Sequence, residues 1–153
     1  MVLGVLLVVA AAGAAVAAWY PRAAPVAEPG WLTVYKTPWC GCCTDWIDHL
    51  RAEGLPLVVI EKDDLRSTRR DLGVPEDLAS CHTAEVDGYA IEGHVPAREI
   101  YRLLAERPAV QGLAVPGMPI GSPGMEVDGY ENDPYDVVSF GPDGRRVFAS
   151  YRP

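Results

Sequence analysis

Trp39-Cys40-Gly41-Cys42-Cys43 places three of the chain's four cysteines within five residues. A strand-like run, Trp31–Lys36, precedes them. A helical pattern from Thr44 to Glu53 follows, closed by Gly54. Three thiols therefore stand where a strand gives way to a helix. The first N–H groups of a helix lack partners and its dipole is positive there. Both effects favour thiolate over thiol. Thiolates attack disulfides and bind soft metals, so two chemistries compete for this motif: thiol–disulfide exchange and metal ligation.

The metal reading needs more donors. Structural zinc sites take ligands in pairs from two separated segments, which Cys40, Cys42 and Cys43 alone do not supply. Cys81 offers a second segment. Asp87-Gly88, between Thr83–Val86 and Tyr89–Glu92, signals a two-residue type I′ hairpin. The register of that turn sets Cys81 opposite His94, with Cβ atoms about 4.5–5.5 Å apart. It turns His82 to the other face, where it reads as structural or as a support behind the ligands. His49 reads as a surface or hydrogen-bonded residue of the first helix. Met118 and Met125, in the Gly- and Pro-rich stretch 112–125, add two thioethers. A set of cysteine and methionine is soft and suits Cu(I) better than Zn(II) or a hard cation. Near-adjacent thiolates can also bridge ions, which allows a small cluster. The plain alternatives are gap-filling methionines and structural disulfides. Cys42–Cys43 is poorly placed to bridge and Cys40–Cys42 would close a strained ring. One bond from the triplet to Cys81 is feasible and would leave two thiols free.

The elements that must position these donors read as an α/β domain. Trp46, Ile47 and Leu50 form an apolar stripe on the first helix, and Asp45 falls in its first turn. Leu55–Ile60 is a near-continuous apolar run, expected to be a parallel strand covered on both faces. Asp63-Asp64 caps a short helix, Leu65–Leu72, ended by Gly73 and Pro75. After the hairpin comes a helix over Pro96–Arg107 with Ile100, Leu103 and Leu104 on one side. Then comes the long Gly/Pro loop, whose apolar residues argue for order and function. A closing hairpin, Tyr135–Phe140 and Arg145–Tyr151, is expected to turn at Asp143-Gly144.

The 153 residues are enough for one ordinary domain. Val2–Trp19 is uncharged and apolar, so residues 1–20 read as a signal peptide or a membrane anchor. No Lys or Arg precedes that run, unlike an ordinary export signal, and no cysteine before Cys40 could carry a lipid anchor. Residues 21–30 read as a Pro/Ala-rich linker and 31–153 as the folded domain. Any membrane contact is expected through the N-terminal segment alone. A formal charge of −8 argues against nucleic acid as a partner. Four cysteines in an exported domain suggest disulfides by default.

Trp39-Cys40-Gly41-Cys42-Cys43 between strand and helix also resembles the thioredoxin active site, with Cys42 in place of its proline. The order of elements looks like a thioredoxin fold, in which a cis-proline before the third strand faces the cysteines; Pro116 and Pro119 are the candidates. The longer motifs are more specific. Cys-Gly-Cys-Cys (40–43), Ser-Cys-His-Thr-Ala (80–84), Gly-Tyr-Ala-Ile-Glu-Gly-His-Val-Pro-Ala (88–97) and Gly-Leu-Ala-Val-Pro-Gly-Met-Pro-Ile-Gly-Ser-Pro-Gly-Met-Glu (112–126) resemble the CopG-type copper-resistance proteins of bacteria. The likeness spans about Leu32 to Tyr151. It implies a thioredoxin-like mixed sheet flanked by helices and export to the periplasm. It also implies copper bound at Cys40, Cys42, Cys43 and Cys81, with His94, Met118 and Met125 completing the site. A multi-copper cluster, Cu(I)/Cu(II) interconversion and other periplasmic copper-handling partners belong to the same expectation. The alternative is a thiol–disulfide oxidoreductase using Cys40 and Cys43. A third reading is an inert domain stapled by disulfides.

Overall fold

The computed structural model describes residues 30–153; the expectations for residues 1–29 lie outside them. Seven strands form one mixed sheet in the order β2-β1-β3-β4-β5-β6-β7. In chain order they are β1 (Leu32–Lys36), β2 (Leu57–Glu61), β3 (Thr83–Val86), β4 (Tyr89–Glu92), β5 (Gly112–Ala114), β6 (Tyr135–Gly141) and β7 (Gly144–Tyr151). The helices are α1 (Gly41–Ala52), α2 (Arg66–Asp71) and α3 (Ala97–Glu106), with a 3-10 turn at Glu76–Leu78. This is the α/β class expected, a mixed sheet flanked by helices with an added hairpin. β1 and β2 pair in parallel across α1, and β4 and β5 in parallel across α3. The remaining neighbours are antiparallel.

Strand alternation divides the core between the two faces of the sheet. Leu32, Val34, Ile91 and Leu113 pack with Trp46, Ile47 and Leu50 of α1 and Ile100 and Leu103 of α3. Ala90, Ala114 and Phe140 point the other way, onto Val74 and Leu78. β4 is therefore buried along its whole length. β2 is not. Its apolar run suggested cover on both faces, but it lies at the sheet edge, and Val58, Val59 and Ile60 are 45, 37 and 41 % exposed. An apolar run reports that a strand tolerates burial on both sides; its place in the sheet decides whether cover is there.

The first hairpin turns as its Asp-Gly pair predicts: Val86 pairs with Tyr89, and Asp87 and Gly88 both take positive φ. The second turns one residue earlier than expected. Gly141 pairs with Gly144, so Pro142 and Asp143 make the turn. The α1 helix begins at Gly41, not Thr44, which moves Cys42 and Cys43 into its first turn and Asp45 out of it. α2 begins at Arg66, with Leu65 as its N-cap and no side-chain cap; Asp64, one residue before the cap, instead accepts the Arg66 N–H on its Oδ1 at 3.0 Å. Arg66 lowers the Asp64 pKa through that bond and through its guanidinium. Among the described residues no helix is long and apolar enough to cross a membrane.

Candidate metal centre

Two backbone segments converge at the N-terminal end of α1. The first is the junction that carries Cys40, Cys42 and Cys43. Cys40 is the residue before the helix, in an extended conformation. The second is the stretch where the β3–β4 ladder stops. That ladder ends at the Thr83–Glu92 pair, leaving Ser80–His82 and Gly93–His94 side by side beyond it. The four cysteine Sγ atoms all lie within 4.8 Å of one another.

Cys81 is the hub. Its Sγ lies 3.1 Å from His94 Nε2, 3.3 Å from His82 Nδ1 and 4.0 Å from Cys42 Sγ. The opposition of Cys81 and His94 expected from the turn register is therefore present. Cys42 Sγ is in turn 3.7 Å from Cys40 Sγ. His94 Nδ1 donates to the Pro123 carbonyl at 2.8 Å. A carbonyl only accepts, so the proton belongs on Nδ1 and the Nε2 lone pair faces Cys81. Imidazoles that ligate metals are held in this way, with the second nitrogen committed to a backbone oxygen.

His82 differs from its expected placement. It is fully buried and lies tilted against the Trp46 ring, 4.2 Å between centroids, yet its Nδ1 reaches Cys81, and Cys81, His82 and His94 form a second convergent group of donors. Strand alternation placed it on the far face, but alternation holds only inside the ladder, which ends one residue later at Thr83. Its Nε2 is buried without a hydrogen-bond partner among the described residues. The signal available in the sequence was adjacency to Cys81 just outside the strand. His49 is structural, as expected, accepting the Ala97 N–H at 3.2 Å.

Cys40 and Cys43 are joined as a disulfide, and Cys42 and Cys81 are free thiols. The bond thus runs within the triplet and not to Cys81. In this oxidised state two of the four sulfurs are committed to each other. No described peptide bond is cis, so Pro116 and Pro119 are both trans. Both prolines also follow the third strand, which Ser80, Cys81 and His82 precede instead.

The loop from Val115 to Pro134 is laid over the cluster at three points. Ser80 Oγ donates to the Gly117 carbonyl at 2.8 Å. His94 holds Pro123 as described. Gly124, at φ +79°, leaves no room for a Cβ, which would stand 2.5 Å from the Trp46 backbone nitrogen. Met118 and Met125 both ride on this loop; Met118 is 53 % exposed and Met125 half-buried.

Burial sets the electrostatics. It pushes the Cys81 thiol up to about 12, helped by the neighbouring Cys42 sulfur. It pushes His82 down to about 3, helped by His94, and lowers His94 as well. Around neutral pH Cys81, His82 and His94 are therefore uncharged. Thiols and imidazoles crowded together in this way form a donor set for a soft or borderline metal ion.

A mixed seven-stranded sheet bearing a Cys/His cluster at a strand–helix junction defines the class: an α/β protein with a sulfur-rich metal-type centre. Two solved structures, titled copper resistance protein copG, form 1 and form 2, share 45 % identity with the chain, at a TM-score of 0.76. Each match covers 82 % of this chain and 100 % of theirs. The chain belongs to this copper resistance protein CopG family. Residues 78–125, which include Cys81, His82, His94, Met118 and Met125, also match a family model described as a protein of unknown function, DUF411. No curated protein matches the chain.

Proposed function

We propose that the chain binds copper as Cu(I) and serves copper resistance. Cys40, Cys42, Cys43 and Cys81 act as thiolate ligands, His94 closes the site, and Met118 and Met125 cap it from the loop. The observation that carries this reading is the meeting of four sulfurs within 4.8 Å with an imidazole whose Nε2 is aimed at Cys81. Sulfur and imidazole donors together suit copper in both oxidation states, which supports a role in Cu(I)/Cu(II) interconversion. Four clustered sulfurs are also enough to bridge more than one ion. Full use of the set requires the Cys40–Cys43 bond to be opened. An external dithiol supplies the two electrons and two protons that convert it to two thiols, itself becoming a disulfide, and the thiol protons leave when metal binds.

The thioredoxin-like reading of the core is supported by the β2-β1-β3-β4 order and by a disulfide at the β1–α1 junction. The apolar N-terminal stretch supports export to the cell envelope, and the copper-resistance titles of the related structures support copper as what the chain handles there. The Cys40–Cys43 bond itself favours a second reading, thiol–disulfide exchange by that pair.

The deciding experiment is copper content. The full chain is reduced without oxygen, loaded with excess Cu(I) and desalted against a competing Cu(I) chelator. One or more ions retained per chain, and lost in Cys42→Ser and Cys81→Ser with the fold intact, are expected. Full retention in Cys42→Ser would remove the third thiol from the site. No retention, with disulfide reduction of a test protein that survives loss of Met118 and Met125, would establish the exchange reading instead.

A further inference from the structure

Arg69 and Glu92 are not among the proposed ligands, yet they form an ion pair in the interior. Arg69 Nε lies 2.9 Å from Glu92 Oε1, with side-chain exposures of 16 and 0 %. Removing two charges from water rarely gains stability over an apolar pair of similar size. The bonds around this pair suggest what it does instead. Glu92 Oε1 also accepts the backbone N–H of Ser80, at 2.6 Å. Arg69 Nη2 donates to the Ser80 carbonyl. One ion pair thus holds both backbone groups of the residue that precedes Cys81. The Ser80 hydroxyl ties the same residue to the loop at Gly117.

The need for such a hold follows from the ladder. Beyond Thr83–Glu92 the sheet no longer fixes the two segments, and the one backbone bond between them is Gly93 N–H to the His82 carbonyl, at 3.1 Å. Cys81 and His94 sit in that unlaced stretch. Glu92 is the last residue of β4, two before His94, and Arg69 reaches in from α2, which contributes no donor to the cluster.

We propose that Arg69 and Glu92 are a positioning pair: they hold the Ser80–Cys81 backbone so that Cys81 Sγ stays against His94 Nε2, and through that contact they set the affinity for Cu(I). The metal named here rests on the copper reading above; the hold on Cys81 does not.

The test uses the full chain as wild type, Arg69→Gln, Glu92→Gln and the double variant Arg69→Met/Glu92→Leu. The control is Glu99→Gln, on an equally buried carboxylate of α3 that pairs with Arg98 and Arg102. Competition against a Cu(I) chelator should show affinity lowered about 10–100-fold in both single variants, the usual cost of removing groups that orient metal ligands. Glu99→Gln should lose thermal stability but keep wild-type affinity. The double variant should recover melting temperature, as apolar replacements of buried pairs often do, while its affinity stays low. A purely structural role would restore both together.

A metal-free readout runs beside it. With Cys42→Ser in each background and the Cys40–Cys43 bond intact, Cys81 is the one free thiol, and its alkylation by iodoacetamide should be severalfold faster without the pair. Unchanged affinity and unchanged alkylation in folded variants would overturn the proposal, as would an equal affinity loss in Glu99→Gln. If the wild type itself retains no copper, the copper reading falls and alkylation alone decides the role of the pair.

Discussion

Cys81 joins the two halves of the site, and its environment explains how the metal-free protein tolerates so many donors in one place. A thiol raised to about 12 and an imidazole lowered to about 3 carry no charge at neutral pH, so little repulsion accumulates. The same shifts make two expectations. Loading Cu(I) on reduced protein should release protons, because thiolates replace thiols; unbuffered titration would detect this, and loading without proton release would contradict ligation by Cys81. Acid should also weaken the metal-free fold. The folded state disfavours protonated His82, so this histidine's contribution is full above its unfolded pKa of about 6.5 and is lost as pH falls toward 3. His94 acts in the same direction, its lowering by burial partly offset by its hydrogen bond to Pro123 and by Glu126 and Asp45. Glu92, raised chiefly by burial, acts in the opposite one. Unfolding free energies from urea titrations between pH 4 and 7 should fall with acid by on the order of a few kcal/mol in the wild type and less steeply in His82→Asn. Equal slopes would mean that His82 is not the group responsible. His82 was also the residue hardest to read from sequence. The period-2 rule that correctly opposed Cys81 to His94 wrongly sent His82 away, because the chain leaves the ladder between Thr83 and Cys81.

At the scale of elements, the loop over the cluster is the part that packing, not propensity, holds in place. Gly124 is its closest approach to α1, with positive φ and backbone atoms of Trp46, Asp45 and Cys42 within 3.0 Å of any added Cβ. Gly129, on the same loop, shares the positive φ but has open space around it. Gly124→Ala should therefore cost about 1–3 kcal/mol and weaken copper retention, while Gly129→Ala should pay the conformational term alone, about 1 kcal/mol, and retain copper normally. Urea unfolding with chelator competition on both variants checks this; equal effects would mean that contact with α1 does not hold the loop. Local rules reached most of the elements. The Asp-Gly turn, the apolar stripes of α1 and α3 and the strand boundaries of the first hairpin follow from short-range chemistry. The loop's clamps do not, since Ser80–Gly117 and His94–Pro123 join residues far apart in sequence. Nor does the Cys40–Cys43 bond, because spacing leaves several pairings open and the redox state selects one.

Across the whole molecule, the sheet places its chemistry and its bare edge on different strands. The ligand cluster lies where β1, β3 and β4 meet α1, and the second core cluster, Val74, Leu78, Ala90, Ala114 and Phe140, closes the other face. β2 stands outside this arrangement, hydrogen-bonded on one side to β1 and, among the described residues, to no strand on the other. Its apolar residues led the sequence reading to expect cover that the described residues do not provide. With Leu57 packed on the core and Val58–Ile60 only partly covered, the strand contributes through its backbone pairing with β1 and less through burial than a central strand does. Val58→Lys should then change stability by no more than about 0.5 kcal/mol, as ordinary surface substitutions do, and leave copper retention unchanged. Charge on an edge strand also opposes edge-to-edge association, so the variant should be no less soluble than the wild type. Thermal unfolding and light scattering of the two proteins side by side would check both. A loss of about 2 kcal/mol or more would show that Val58 is packed against something in solution, and the edge would have to be treated as part of the core.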